Sequence, residues 1–274
     1  MQRYSFSATH GPSAGTTMEY PRIPGAALLA AALLAGQASA GEVRVAVATK
    51  LAEPIRLVAA SFEKDTGNKV HYTVAPTSAF LRQIAEGADF DVLLPNNKAA
   101  LSELEALDRV VPGTRHTYAQ NVLVLWSPFK DYVDDQGQVL RRNQFQRLSV
   151  ASPNRVYGRP AAQVLDNLGL AKAVEDKLVE RHDLAQSRQF VTAGGADLGI
   201  VTLSQVYANG KLQRGSAWLI PQTLYDPIEQ QAVILKPGRD NPVARSFLFY
   251  LRGPKAGSIL ISHGYRYQLF SESL

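Results

Sequence analysis

Apolar and polar positions alternate along the chain in short blocks, and the period of the alternation switches repeatedly between two and about three and a half. Val43, Val45 and Val47 alternate with Arg44, Ala46 and Ala48, the pattern of a strand. Leu51, Ile55, Val58 and Phe62 follow at helical spacing, with Pro54 in the first turn, where a missing N–H costs little, and Gly67 as the stop. A second strand is predicted over 70–74, with residues 75–78 turning into a helix through Phe80, Leu81 and Ile84 to Gly87. A buried strand over 91–94 and a helix over 99–107 complete the pattern of the first part.

Further along, residues 121–126 (NVLVLW) read as one apolar strand and the polar stretch 130–147 as surface. Residues 148–165 join a short apolar strand, a turn ending in Tyr157-Gly158 and a helix start. An amphipathic helix is predicted over 171–181, a helix over 185–193 stopped by Gly194-Gly195, and strands over 198–202 and 231–235. Asn241-Pro242 supplies an N-cap and a first-turn proline to a helix, and Pro254 opens a last one that stops near Gly264. Strands alternating with helices in this way imply α/β layers with mostly parallel sheets flanked by helices.

The turn at 152–158 carries the clearest chemistry. A strand–turn–helix junction leaves backbone N–H groups free at the helix N-terminus, with the positive end of the macrodipole behind them, and Tyr157 adds a phenolic donor. The same junction recurs at Thr49, at Thr77 and around Leu184, so four distant segments can supply donors to one small anion. At Thr77 the competing role is that of a helix N-cap.

Composition narrows the class. With 46% hydrophobic and 19% charged residues, the 274-residue chain is an ordinary globular one. Its net charge of +5 is spread among acids rather than gathered in runs, which argues against nucleic acid as a partner. Residues 25–36 form an Ala/Leu-rich run preceded by Arg22 and followed by Ala38-Ser39-Ala40, the pattern of a secretory signal peptide over 1–40 with the mature chain starting at Gly41; Met18 is an alternative start. No cysteine is present, so neither disulfides nor a lipid-modified cysteine is expected, and a freely soluble periplasmic protein is. Five scattered histidines show no metal-ligand spacing, and neither a Gly-x-Ser-x-Gly nor a Walker loop occurs, so the chain reads as a receptor and not an enzyme.

Several stretches bring a known family into view: VRVAVATKL at 43–51, FEKDTG at 62–67, LRQI at 81–84, SPNRVYG at 152–158, FVTAG at 190–194, LGIVTLSQ at 198–205 and LYDPIEQQAV at 224–233. In these the chain resembles the periplasmic molybdate-binding proteins of ABC importers. The resemblance implies a two-domain periplasmic-binding-protein fold of type II with the ligand cleft between the domains. Domain I would comprise 41–120 plus 230–274 and domain II 121–229, joined by strands such as 121–126 and 231–235 crossing between them. It also implies molybdate or tungstate as ligand, no cofactor, a monomer, and a membrane permease with its ATPase as partners. Carried over position by position, the ligand-binding residues are Thr49, Lys50, Thr77, Tyr157 and Leu184. Asn or Ser normally stands where Lys50 is, and this departure leaves a different small anion as the alternative ligand. Thr202, where some members carry a tyrosine, is a further candidate whose ordinary role is a strand hydroxyl.

Overall fold

The structure is a computed structural model that describes residues 40–154 and 157–267, and Ala40 onward forms one compact unit. The expected signal peptide lies outside the described residues. In chain order the strands are β1 (Glu42–Ala48), β2 (Lys69–Ala75), β3 (Val92–Leu94), β4 (His116–Asn121), β5 (Leu123–Ser127), β6 (Leu148–Ala151), β7 (Leu178–Arg181), β8 (Leu198–Thr202), β9 (Tyr207–Ala208), β10 (Lys211–Leu212), β11 (Ser216–Leu219), β12 (Ile228–Ile234) and β13 (Tyr265–Arg266). The helices are α1 (Ala52–Thr66), α2 (Thr77–Ala85), α3 (Lys98–Ala106), α4 (Gln138–Arg141), α5 (Gly158–Asn167), α6 (Ala171–Val174), α7 (Leu184–Thr192), α8 (Pro242–Leu251) and α9 (Pro254–Ser262).

Two mixed sheets carry the fold. One has the order β13-β4-β12-β3-β1-β2 and the other β11-β5-β8-β6-β7, with β9 and β10 as a separate hairpin. Pairing is parallel where strand–helix units build the sheet, β1 with β2 and β3, and β6 with β7 and β8. It is antiparallel where β12, β4, β13, β5 and β11 join.

Each sheet is covered on both faces, as parallel strands require. The alternation of β1 sends Val43, Val45 and Val47 into a core with Phe62 of α1, Phe247 of α8 and Leu260 of α9, while Ala46 faces Phe80 and Leu101 on the other side. In the second sheet Leu123 and Leu125 pack with Leu148, Val164 and Ile200, and Val124 and Trp126 with Val191 and Val201.

Four sequence expectations are corrected. The single strand at 121–126 is two strands: β4 ends at Asn121 in the six-stranded sheet, β5 begins at Leu123 in the five-stranded one, and Val122 carries the crossing. The crossing expected over 231–235 lies earlier in the same strand: β12 pairs within the six-stranded sheet, but Ile228 at its start packs in the core of the second sheet while Ala232 and Ile234 pack in that of the first. Of the helix expected over 171–181 only Ala171–Val174 is α-helical, with a 3-10 turn over Glu175–Lys177 after it. Leu178–Arg181 instead extends along β6, where ladder pairing outweighs the weak helical periodicity. The polar stretch 130–147 also contributes to a core, because Val133, Val139, Leu140 and Phe145 are buried against the second sheet, with α4 among them. The strands over 207–219 had no counterpart in the apolar pattern.

Candidate functional site

In open α/β sheets ligands gather outside the carboxyl ends of the strands, at the strand whose neighbours lead away on opposite sides. Here those strands are β1, flanked by β2 and β3, and β6, flanked by β7 and β8. The turn after β1 holds Lys50, the turn after β6 holds Tyr157, the turn after β7 leads into Leu184, and β8 ends at Thr202. All four line one cavity of about 230 Å³. Because the lining comes from the carboxyl ends of both sheets, the cavity lies where the two sheets meet.

Tyr157 occupies the N-cap position of α5. Next to it, a Cβ on Gly158 would come within 1.8 Å of the Ser152 carbonyl oxygen, so only glycine lets the chain double back onto the end of β6 here. The phenol is buried, donates to the Asn96 carbonyl at 3.0 Å and accepts from the Asn121 amide at 3.4 Å. Burial pushes its pKa up to about 12, against a smaller opposing effect of Gln230, so the phenol is a neutral donor at physiological pH.

This contact belongs to a polar strip across the junction. Thr77 Oγ1 donates to Asn96 Oδ1 at 2.9 Å and accepts from the Asn96 amide at 3.1 Å. On the other side of Tyr157, Asn121 Oδ1 accepts from Ser204 Oγ at 3.1 Å, and Ser204 lies 3.2 Å from Thr202 Oγ1. Gln205 closes a capping box with Thr202. The register shift between Gln230 and Gln231 in the β12–β4 ladder falls where Gln230 reaches the cavity, a usual role of a bulge.

The remaining wall is α7. Asp183 caps it, accepting from the Ala185 and Gln186 amides at 2.7 and 2.9 Å. Burial tends to raise the pKa of this carboxyl, but the amide bonds and the charge of Lys50 outweigh it and hold the pKa low. Lys50 is exposed as a residue, yet its ammonium lies 5.2 Å from the centre of the Tyr157 ring, and desolvation lowers its pKa against the pull of Asp183. Its backbone is held too, the Lys50 carbonyl standing 3.4 Å from the Tyr265 hydroxyl.

Of the residues singled out from the sequence, the structure brings Lys50, Tyr157 and Leu184 to one cavity, together with Thr202. Thr49, the exposed residue before Lys50, is outside the lining. Thr77 is outside it too; its hydroxyl is taken by Asn96, which in turn receives the Tyr157 phenol. The N-cap role expected for Thr77 is corrected, since Pro76 is the cap and Thr77 the first residue of α2. Sequence reasoning missed Arg188, which lies one helical turn beyond Leu184 and thus on its face of α7. It also missed Asn121, Gln230 and Tyr265, because strand-end polar residues give no periodic signal. Among the described residues no three His, Cys, Asp or Glu side chains group as metal ligands.

Two α/β sheets sharing a polar cavity at their carboxyl ends define a ligand-binding protein with its site where the sheets meet. The chain belongs to the bacterial extracellular solute-binding proteins, whose family description matches residues 43–266. It is 49% identical to the molybdate-binding protein ModA of Azotobacter vinelandii over 241 residues, 88% of this chain and 96% of that one. Identity to the ModA of Rhodobacter capsulatus is 38% over 90% of this chain and 98% of the relative. Among solved structures it is similar to the periplasmic molybdate-binding protein of Azotobacter vinelandii, with a TM-score of 0.67 and 33% identity over 82% of this chain and 99% of that one.

Proposed function

We propose that this protein is an extracytoplasmic receptor that binds one tetrahedral oxyanion, molybdate or tungstate, and delivers it to the permease and ATPase of an ABC importer. The observation that carries this reading is that three of the five residues expected to bind the anion line one cavity. The identity to molybdate-binding relatives along nearly the whole mature chain supports it. A dianion that leaves water needs fixed donors in place of its hydration shell, and the cavity offers amide, hydroxyl and cationic groups.

In this reading the protein works as a monomer in the periplasm, without a cofactor and without turnover of its ligand. Residues 41–120 plus 230–274 form one lobe and 121–229 the other, with the crossing at Val122 as one hinge. Closure of the lobes brings Thr49, Lys50 and Thr77 of the first lobe to the anion alongside Tyr157 and the Leu184 amide of the second.

Thermal unfolding of the chain from Gly41 onward, with molybdate, tungstate, sulfate, phosphate and chromate in turn, tests the reading. At a hundredfold excess over Kd, a ligand of the folded state adds about 2.7 kcal/mol, which raises Tm by roughly 5–10 °C. Molybdate and tungstate are expected to produce this shift and sulfate far less. A shift with phosphate or sulfate alone selects the other-anion reading, and no shift with any oxyanion refutes both.

A further inference from the structure

The cavity lining contains two cations, Lys50 and Arg188, and no acidic residue. Neither cation takes part in an ion pair among the described residues. They also come from different sheets' connections, Lys50 from the turn after β1 and Arg188 from α7, which follows β7. The acid whose charge acts on Lys50, Asp183, caps its own helix through Oδ1, has Oδ2 3.7 Å from His182 Nδ1, and forms no ion pair with Lys50. A lysine this long ordinarily turns its ammonium out to water. Here the ammonium stays beside the Tyr157 ring, whose π face attracts a cation, in surroundings dry enough to depress its pKa.

We infer that Lys50 and Arg188 are a charge-selective pair that makes this site choose doubly charged oxyanions over singly charged ones of the same shape. The inference rests on the proposed oxyanion-receptor reading and deepens it. A cavity furnished only with neutral donors recognises a tetrahedral anion by size and hydrogen-bond geometry. Two unpaired cations add a further term: at a given distance a fixed positive charge attracts a dianion twice as strongly as a monoanion. Asp183 offsets part of the field of Lys50, and Arg188 adds the second charge that keeps the empty cavity clearly positive. The division of labour follows: charge rejects the monoanions, and cavity size must separate the remaining dianions. Attraction to partly exposed cations is screened by salt, so affinity for the dianion should weaken as ionic strength rises.

Perrhenate is the probe, because it is tetrahedral and close to molybdate and tungstate in size but carries one negative charge. Calorimetry on the wild-type chain would give Kd for molybdate, and competition against molybdate would give Kd for perrhenate, each at low and high salt. Lys50→Gln and Arg188→Gln keep a hydrogen-bonding side chain and remove the charge, while Lys50→Arg keeps the charge. The expected result is that each Gln variant lowers the molybdate-over-perrhenate preference at least tenfold and flattens the salt dependence for molybdate, whereas Lys50→Arg retains both. Thermal unfolding of the unliganded variants checks that they are folded. A wild type that binds molybdate while both Gln variants keep its preference and salt slope overturns the inference and leaves the receptor reading intact. Equal weakening of both anions also overturns it, since that is loss of packing or hydrogen bonding and not of charge recognition. A wild type that binds neither molybdate nor tungstate fails the receptor reading itself, before any variant is measured.

Discussion

At the scale of single residues, Tyr157 concentrates several roles. It is the N-cap of α5, it connects Asn121 to Asn96 through its hydroxyl, and it presents its ring to the Lys50 ammonium. The raised pKa has a definite thermodynamic sign. Between the ordinary phenol pKa of 10.0 and the folded value of about 12, the folded chain keeps a proton that the unfolded chain has lost. Stability is therefore fully present below pH 10 and is lost as pH rises through 12, by on the order of 2–3 kcal/mol in all for this group. Tyr118 and Tyr265, both buried and both pushed upward by desolvation, act in the same direction. Tyr157→Phe removes one share of the loss. Urea unfolding at pH 9 and pH 11 should show the wild type losing about 1 kcal/mol more than the variant over that interval. Equal losses in the two proteins would mean that the phenol is as well solvated as in the unfolded chain. At neutral pH the same variant leaves the Asn96 carbonyl without its phenol donor, at a cost of about 1–3 kcal/mol.

At the scale of elements, the strand–turn–helix unit of β6 and α5 decides where Tyr157 sits. The Cβ of Gly158→Ala would collide with the carbonyl oxygens of Ser152 and Ala151, at 1.8 and 2.7 Å, and both are backbone atoms with no rotamer to yield. The expected outcome is a loss of stability of about 1–3 kcal/mol together with weakened anion binding, read by urea unfolding and calorimetry on the same sample. Retained stability and affinity would show that the turn can open at no cost.

Units of this kind were the legible part of the sequence. Strand β1 and helix α1 stood out because their apolar periods are clean and Gly67 ends the helix in the left-handed region, with φ of 74°. The cap of α8 was equally plain, since Asn241 Oδ1 accepts from the Val243 amide just as an Asn-Pro helix start predicts. Lys50 and Tyr157 met in one cavity because each follows the carboxyl end of a strand, β1 and β6, that periodicity makes readable, whereas Leu184 was found from its helix start alone. What was not legible has a separate physical cause in each case. An edge strand such as β7 is only half buried, so its burial pattern scarcely differs from that of an amphipathic helix. The break at Val122 leaves no mark, because Asn121, Val122 and Leu123 are all buried across it. Gln230 enters the cavity through long-range topology, which no local spacing encodes, while Arg188 follows from its i,i+4 spacing to Leu184 once that residue is placed in the site.

For the whole molecule, the net charge of +5 is compatible with attraction of anions at long range, but scattered surface charge is screened within about 8–10 Å at physiological salt. Recognition must therefore be local, at the cavity where the carboxyl ends of the two sheets meet. This one place is expected to hold the oxyanion, with contacts from the connections of both sheets. Crystals grown with molybdate or tungstate, with diffraction recorded at the metal's absorption edge, locate the metal atom directly. One anomalous peak per chain is expected inside the cavity, within hydrogen-bonding reach of the Tyr157 hydroxyl and the Leu184 amide and facing Lys50. A peak elsewhere on the molecule, or no peak in crystals soaked well above micromolar oxyanion, would contradict it.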